Sequence, residues 1–189
     1  MQDLSLHLLD IIENSARAGA SLIQIFIDAD ENNDILKFKI TDNGSGMDEE
    51  TLNNALNPFY TSKTSREKKV GLGIPLFMQN AELCDGSFDV KSKLGQGTEL
   101  EASFKKSHID RMPVGSLADT IIGSLIGHPE TDFYLRISHN TQEQNFEYEF
   151  DTRLIKEELG DIPLTYPDVI QFIMEDVNNG IKNTKMGEI

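Results

Sequence analysis

Residues 7–20 read HLLDIIENSARAGA and place two acids near one asparagine, Asp10 four positions before Asn14 and Glu13 immediately before it. At about 100° per helical residue, with Asp10 at zero, Asn14 falls at roughly +40°, Arg17 at about −20°, His7 at about +60° and Glu13 at about −60°. Asp10 is central on the polar face. Glu13 is marginal and has the i,i+4 spacing to pair with Arg17. Further on, TDNGSGMD sets Asp42 at a strand end before Gly44 and Gly46. The glycines let a flat ligand approach the backbone, and the carboxylate can accept a hydrogen bond from an exocyclic amino group. In KVGLGIPL, glycines run directly into a helix whose free N–H groups and positive dipole end suit an anion. TSKTSREKKV holds Lys63, Arg66, Lys68 and Lys69, four of seventeen bases in ten residues, a concentration that suits a polyphosphate. Each pattern alone also fits plain structure: a solvated helix face, a tight turn, a helix start, a polar loop.

The elements that must position these residues follow from periodicity. Leu4, Leu8, Ile11, Ile12, Ala16 and Ala18 share one side of a helix over roughly residues 3–18, with Gly19 at its end. SLIQIFID and DILKFKITD flank the turn-prone ADENN and read as an antiparallel hairpin. Residues 48–57 read as a short helix ended by Pro58, and 61–70 as a loop. GLGIPLFMQNAELCDG reads as an apolar helix stopping at Gly86, and SFDVKS and TELEASF as a second hairpin across KLGQG. The turn glycines there, Gly95 and Gly97, are ordinary hairpin chemistry by themselves. Sequence character changes near residue 107. Residues 1–106 carry 17 acids against 11 bases, and 107–189 carry 15 against 6. The more acidic stretch reads as a helix capped by Ser116, a strand pair TDFYLRIS and NFEYEFD, and a last helix over about 167–179 ending near Gly180.

Composition excludes some functions. A formal charge of −15 repels phosphate backbones and anionic lipid, so nucleic-acid and membrane binding are disfavoured. No apolar run approaches the roughly 20 residues needed to span a bilayer, and no leader pattern opens the sequence. With Cys84 as the single cysteine, the expectation is a cytoplasmic protein.

In order, five segments resemble the GHKL family of gyrase, heat-shock chaperone, histidine kinase and mismatch-repair ATPases: ENSARAGA its N-box, DNGSGM, GLGIPL and GQGTELEASF its three glycine boxes, and PFYTSK its F-box. The match covers roughly residues 3–105. The F-box and the later glycine boxes are most similar to histidine kinases, and ENSARAGA to the mismatch-repair branch. The resemblance implies an α/β (α+β) two-layer sandwich of the Bergerat type over residues 1–106, helices lying on one face of a mixed, mostly antiparallel sheet. Residues 107–189 would form a small α+β extension, a docking module or a cover for the sheet edge. ATP and Mg²⁺ are the implied cofactors. Asn14 would ligate Mg²⁺, Arg17 approach the phosphates, and Asp42 bond the adenine amino group. Gly44 and Gly46 would let the base approach, and Thr98 support the adenine end. Lys63 and the segment to Val70 would form a lid, and Gly71 and Gly73 would bring amides to the phosphates. Met47 and Leu72 belong to the same nucleotide-binding set.

In the ATPase branches of that family the water-activating acid sits four positions before the metal-binding asparagine, which makes Asp10 rather than Glu13 the candidate catalytic residue. Glutamate is usual there. Aspartate reaches about 1.5 Å less, and misplacement by about 1 Å can cost on the order of a hundredfold. No phosphoacceptor helix precedes the N-box in this sequence, and none of the four histidines sits in such a context. The resemblance therefore implies a kinase subunit that phosphorylates a protein partner in trans, with a slow ATPase, switch or sensor as the alternative. The short second segment disfavours a DNA-handling clamp.

Overall fold

The computed structural model describes residues 3–57 and 73–186. The first helix, α1 (Leu4–Arg17), starts where Asp3 accepts the Leu6 N–H at 3.0 Å and ends before Gly19, whose φ of 74° turns the chain away. The hairpin β1 (Leu22–Asp30) and β2 (Ile35–Asp42) follows, then α2 (Glu49–Leu56), capped by Asp48. Next come α3 (Gly73–Leu83) and a second hairpin, β3 (Ser87–Lys93) and β4 (Gly97–Lys105). The chain continues with α4 (Leu117–Gly127), β5 (Asp132–Asn140), β6 (Asn145–Asp151), α5 (Thr152–Leu159) and α6 (Pro167–Asn183).

All six strands form one sheet in the order β3-β4-β2-β1-β5-β6. Every neighbouring pair is antiparallel except β1 and β5, which run parallel with Ile25 opposite Leu135. The segment after residue 107 therefore adds to the first sheet and covers the β1 edge, whose unpaired backbone groups would otherwise be a pairing hazard. Its approach is also tied down, with Leu4 and Ser5 donating their N–H groups to Pro113 and Val114 carbonyls at 2.9 Å.

Alternation sorts the two faces of the sheet. Ile23, Ile25, Ile27, Leu36, Phe38, Ile40, Leu100, Ala102, Phe104, Phe133, Leu135 and Ile137 are all buried on one face. They form one core with Leu4, Leu8, Ile11 and Ile12 of α1, Phe77 of α3, Ile121 of α4 and Val177 of α6. Each Leu, Ile or Phe so covered contributes about 1.5–3 kcal/mol relative to exposure. The opposite face carries cross-strand ion pairs, Lys37–Glu101 at 2.7 Å and Lys39–Glu99 at 2.9 Å. No helix among the described residues is long and apolar enough to cross a membrane.

One expectation needs correction, and one helix was not anticipated. The last helix does not stop at Gly180 but runs on to Asn183. That glycine lies inside the helix because a Cβ there would come within 2.2 Å of the Tyr148 ring. The helix α5 was not evident in the sequence: its apolar residues Leu154, Ile155 and Leu159 are few, and Asp151, the last residue of β6, is its N-cap.

Candidate nucleotide site

Asp42 ends β2, opposite Ile23 on one side and Thr98 on the other. Both of its carboxylate oxygens are held. Ser15 Oγ donates to Oδ2 at 2.8 Å and the Gly44 N–H donates to Oδ1 at 2.9 Å. With both oxygens aimed, each keeps lone pairs for a further donor. Ser15, 5% exposed, is a residue the sequence reading missed. Its signal was its place one step after Asn14 on α1, which turns it toward the sheet.

The loop after Asp42 is fastened on two sides. Ser45 N–H donates to Ala18 O at 2.9 Å, tying it to the end of α1, and Gly95 N–H donates to Ser45 O at 2.7 Å, tying it to the β3–β4 turn. Gly46 has φ 62°, and a Cβ there would meet Lys93 O at 2.0 Å, so no other residue fits the crossing. Gly97 is under the same constraint, its Cβ position lying 1.9 Å from Asp42 O. Ser92, also missed in the sequence, accepts the Met47 N–H at 2.8 Å and is hydrogen-bonded to Thr98 Oγ1 at 2.9 Å. Met47 and Thr98 are thereby braced against one another beside Asp42.

The other end of the site is built by α1 and α3. A Cβ on Gly73 would lie 2.6 Å from Asp10 Cβ and 2.7 Å from Asp10 Oδ2. Asp10 thus packs directly on the first residue of α3, at the positive end of its dipole. Asn14, half-buried one turn later, makes no side-chain hydrogen bond among the described residues, so its carboxamide oxygen is available to a ligand. The described residues hold no cluster of three or more His, Cys, Asp or Glu that could cage a metal. A single free carboxamide oxygen of this kind could serve as one ligand to an oxygen-preferring cation such as Mg²⁺.

Arg17 is exposed on the last turn of α1, its Nε donating to the Glu13 carbonyl at 3.1 Å. In place of the expected Glu13–Arg17 ion pair, Glu13 Oε1 is hydrogen-bonded to His128 Nε2 at 2.9 Å. His128 follows α4, 115 residues away in sequence, a partner only the tertiary fold supplies. His7, expected toward the polar face, is buried beneath α3 at 1% exposure. Lys63, Gly71, Leu72 and the proposed lid lie outside the described residues.

Residues 2–108 match the family described as histidine kinase-, DNA gyrase B-, and HSP90-like ATPase. The sensor histidine kinase YvrG of Bacillus subtilis is 31% identical over 86 residues, 44% of this chain and 14% of that protein. The sensor protein SrrB of Staphylococcus aureus is 36% identical over 96 residues, 48% of this chain and 16% of that protein. The chain spans about one-seventh to one-sixth of the length of these curated relatives. Among solved structures, the N-terminal domain of a DNA repair protein aligns with a TM-score of 0.52 at 13% identity, covering 97% of this chain and 57% of that one. It shares the fold. With more than half of its length matched, this chain belongs to the histidine kinase-, DNA gyrase B- and HSP90-like ATPase family.

Proposed function

We propose that this chain binds ATP with Mg²⁺ and transfers the γ-phosphate to a protein partner in trans. The observation that carries the nucleotide reading is the doubly held Asp42 carboxylate, fixed by Ser15 and Gly44 at the end of β2. Its oxygens would accept the adenine amino hydrogen, while the N-terminal turn of α3 would face the phosphates. Asn14 would hold the metal, which neutralises phosphate charge. In the transfer, the bond from the γ-phosphorus to its bridging oxygen breaks, ADP leaves, and the acceptor forms the new bond and loses its proton; the protein's share is positioning and electrostatics.

An acceptor outside the described residues is supported by how their histidines are engaged. His7 and His139 are buried, and His139 is engaged at both ring nitrogens by Thr184 O and Glu31. His128 is bonded to Glu13 at 2.9 Å, and His108 Nδ1 accepts the Asp110 N–H at 3.2 Å.

A second reading, slow hydrolysis coupled to a conformational switch, is favoured by one observation, the packing of Asp10 against Gly73. There a carboxylate could orient water at the phosphate end. Incubating the pure protein with γ-labelled ATP, with and without cell extract, separates the readings. Label on a partner supports transfer, free phosphate supports hydrolysis, and neither product with ATP bound leaves only a sensor.

A further inference from the structure

His7 has no part in the reading above, yet it sits at the contact between α1 and α3. It is 1% exposed, and its ring stacks on Phe77 with centroids 5.4 Å apart and planes inclined by 26°. Neither ring nitrogen has a partner at full hydrogen-bond geometry, the Gly73 backbone making only a weak polar contact with the ring. That is unusual, since an unsatisfied buried polar group costs about 1–3 kcal/mol. Phe77 is one turn into α3, so the ring lies just under the N-terminal turn, with the Gly73 backbone facing it. Asp10 lies one turn along α1 from His7 and packs on the same glycine. Among the described residues, the charged groups around the ring are Asp10 and Asp3. Burial dominates and pulls the imidazole below its ordinary pKa, with the Gly73 backbone and the two aspartates opposing it. Burial thus favours the neutral imidazole, held against the helix end that the nucleotide reading assigns to phosphate.

We propose that His7 is a proton-linked positioning residue of the nucleotide site, taking up a proton from solvent when a polyphosphate seats on the N-terminal turn of α3. The inference rests on the ATP reading. Negative charge arriving at that turn favours the imidazolium, and the second N–H so gained can donate toward it, holding α1 and α3 together around the bound phosphates. The same charge would find no such response in an apolar residue at position 7.

Calorimetric titration of the purified chain with ATP, between pH 5.5 and 8 and in buffers of different ionisation heat, tests this. The parent should take up protons on binding, and its affinity should rise as pH falls, by at most about tenfold per pH unit for one whole proton. His7→Phe retains a ring against Phe77, and His7→Gln retains a polar group that does not titrate. Both should lose the uptake, and the protonation of ATP itself cancels in the difference. Histidine ring signals in the parent's NMR spectrum give a reading that needs no variant: the His7 midpoint should move up when ATP is added. Uptake equal in parent and variants, or an unmoved His7 midpoint, would overturn the proposal while leaving ATP binding intact. A parent that binds no ATP at any pH overturns the nucleotide reading itself and this inference with it.

Discussion

Ser15 Oγ donates a 2.8 Å hydrogen bond to Asp42 Oδ2, joining the middle of α1 to the end of β2 across 27 residues of sequence. The bond fixes the orientation of the carboxylate to which the proposed function assigns the adenine amino group. Asp42→Asn should weaken ATP binding by about 1.5–3 kcal/mol, the worth of a charge-assisted bond, and Ser15→Ala by about 0.5–1.5 kcal/mol. Calorimetric ATP titration measures both, and unchanged affinity in Asp42→Asn removes the residue from the site. GTP, with a carbonyl in place of the amino group, should bind far more weakly than ATP.

Asn14 offers a free side-chain oxygen half-buried on the same helix. Asn14→Ala should abolish the strengthening of ATP binding by Mg²⁺, because an ion that prefers octahedral oxygen coordination loses its protein ligand. An equal gain from Mg²⁺ in variant and parent refutes the assignment.

Asp10 and Gly73 are in contact tight enough to exclude a methyl group. Gly73→Ala should therefore displace Asp10 or α3 and cost about 1–3 kcal/mol of stability through overpacking, with loss of ATP turnover. If the short carboxylate of Asp10 orients water imperfectly, Asp10→Glu should raise hydrolysis, and Asp10→Asn should lower it with ATP still bound. Glu13→Gln is the control. Its partner is His128, through a part-buried hydrogen bond worth about 0.5–1.5 kcal/mol, so turnover should change little. A phosphate-release assay that finds turnover lost in Glu13→Gln and parental in both Asp10 variants would reverse the roles of the two acids.

Two helical glycines should respond oppositely to alanine. At Gly180 the new Cβ would overlap the Tyr148 ring, so Gly180→Ala should destabilise by about 1–3 kcal/mol. At Gly123, exposed within α4, nothing lies within 4 Å, so Gly123→Ala should stabilise by up to about 1 kcal/mol. Urea unfolding gives both values, and a loss of stability at Gly123 would contradict the packing of α4.

Local chemistry alone made much of this protein legible. The apolar stripe of α1, the alternation of β1 to β4, the cap at Ser116 and the turn glycines depend on near neighbours in sequence. The ordered nucleotide motifs did as well, down to Asp10 and Asn14 sharing a helix face. What tertiary structure decided are the relations between distant residues. Ser15 looks like any small helical serine until β2 places Asp42 beside it. Glu13 has a plausible partner in Arg17 at i,i+4, yet α4 brings His128 and the pairing changes. Gly180 carries the usual sign of a helix end, but the neighbouring strand sets a tyrosine ring where a side chain would go. The parallel pairing of β5 with β1 likewise has no local signature, because strand periodicity records which face is buried and not which edge is joined.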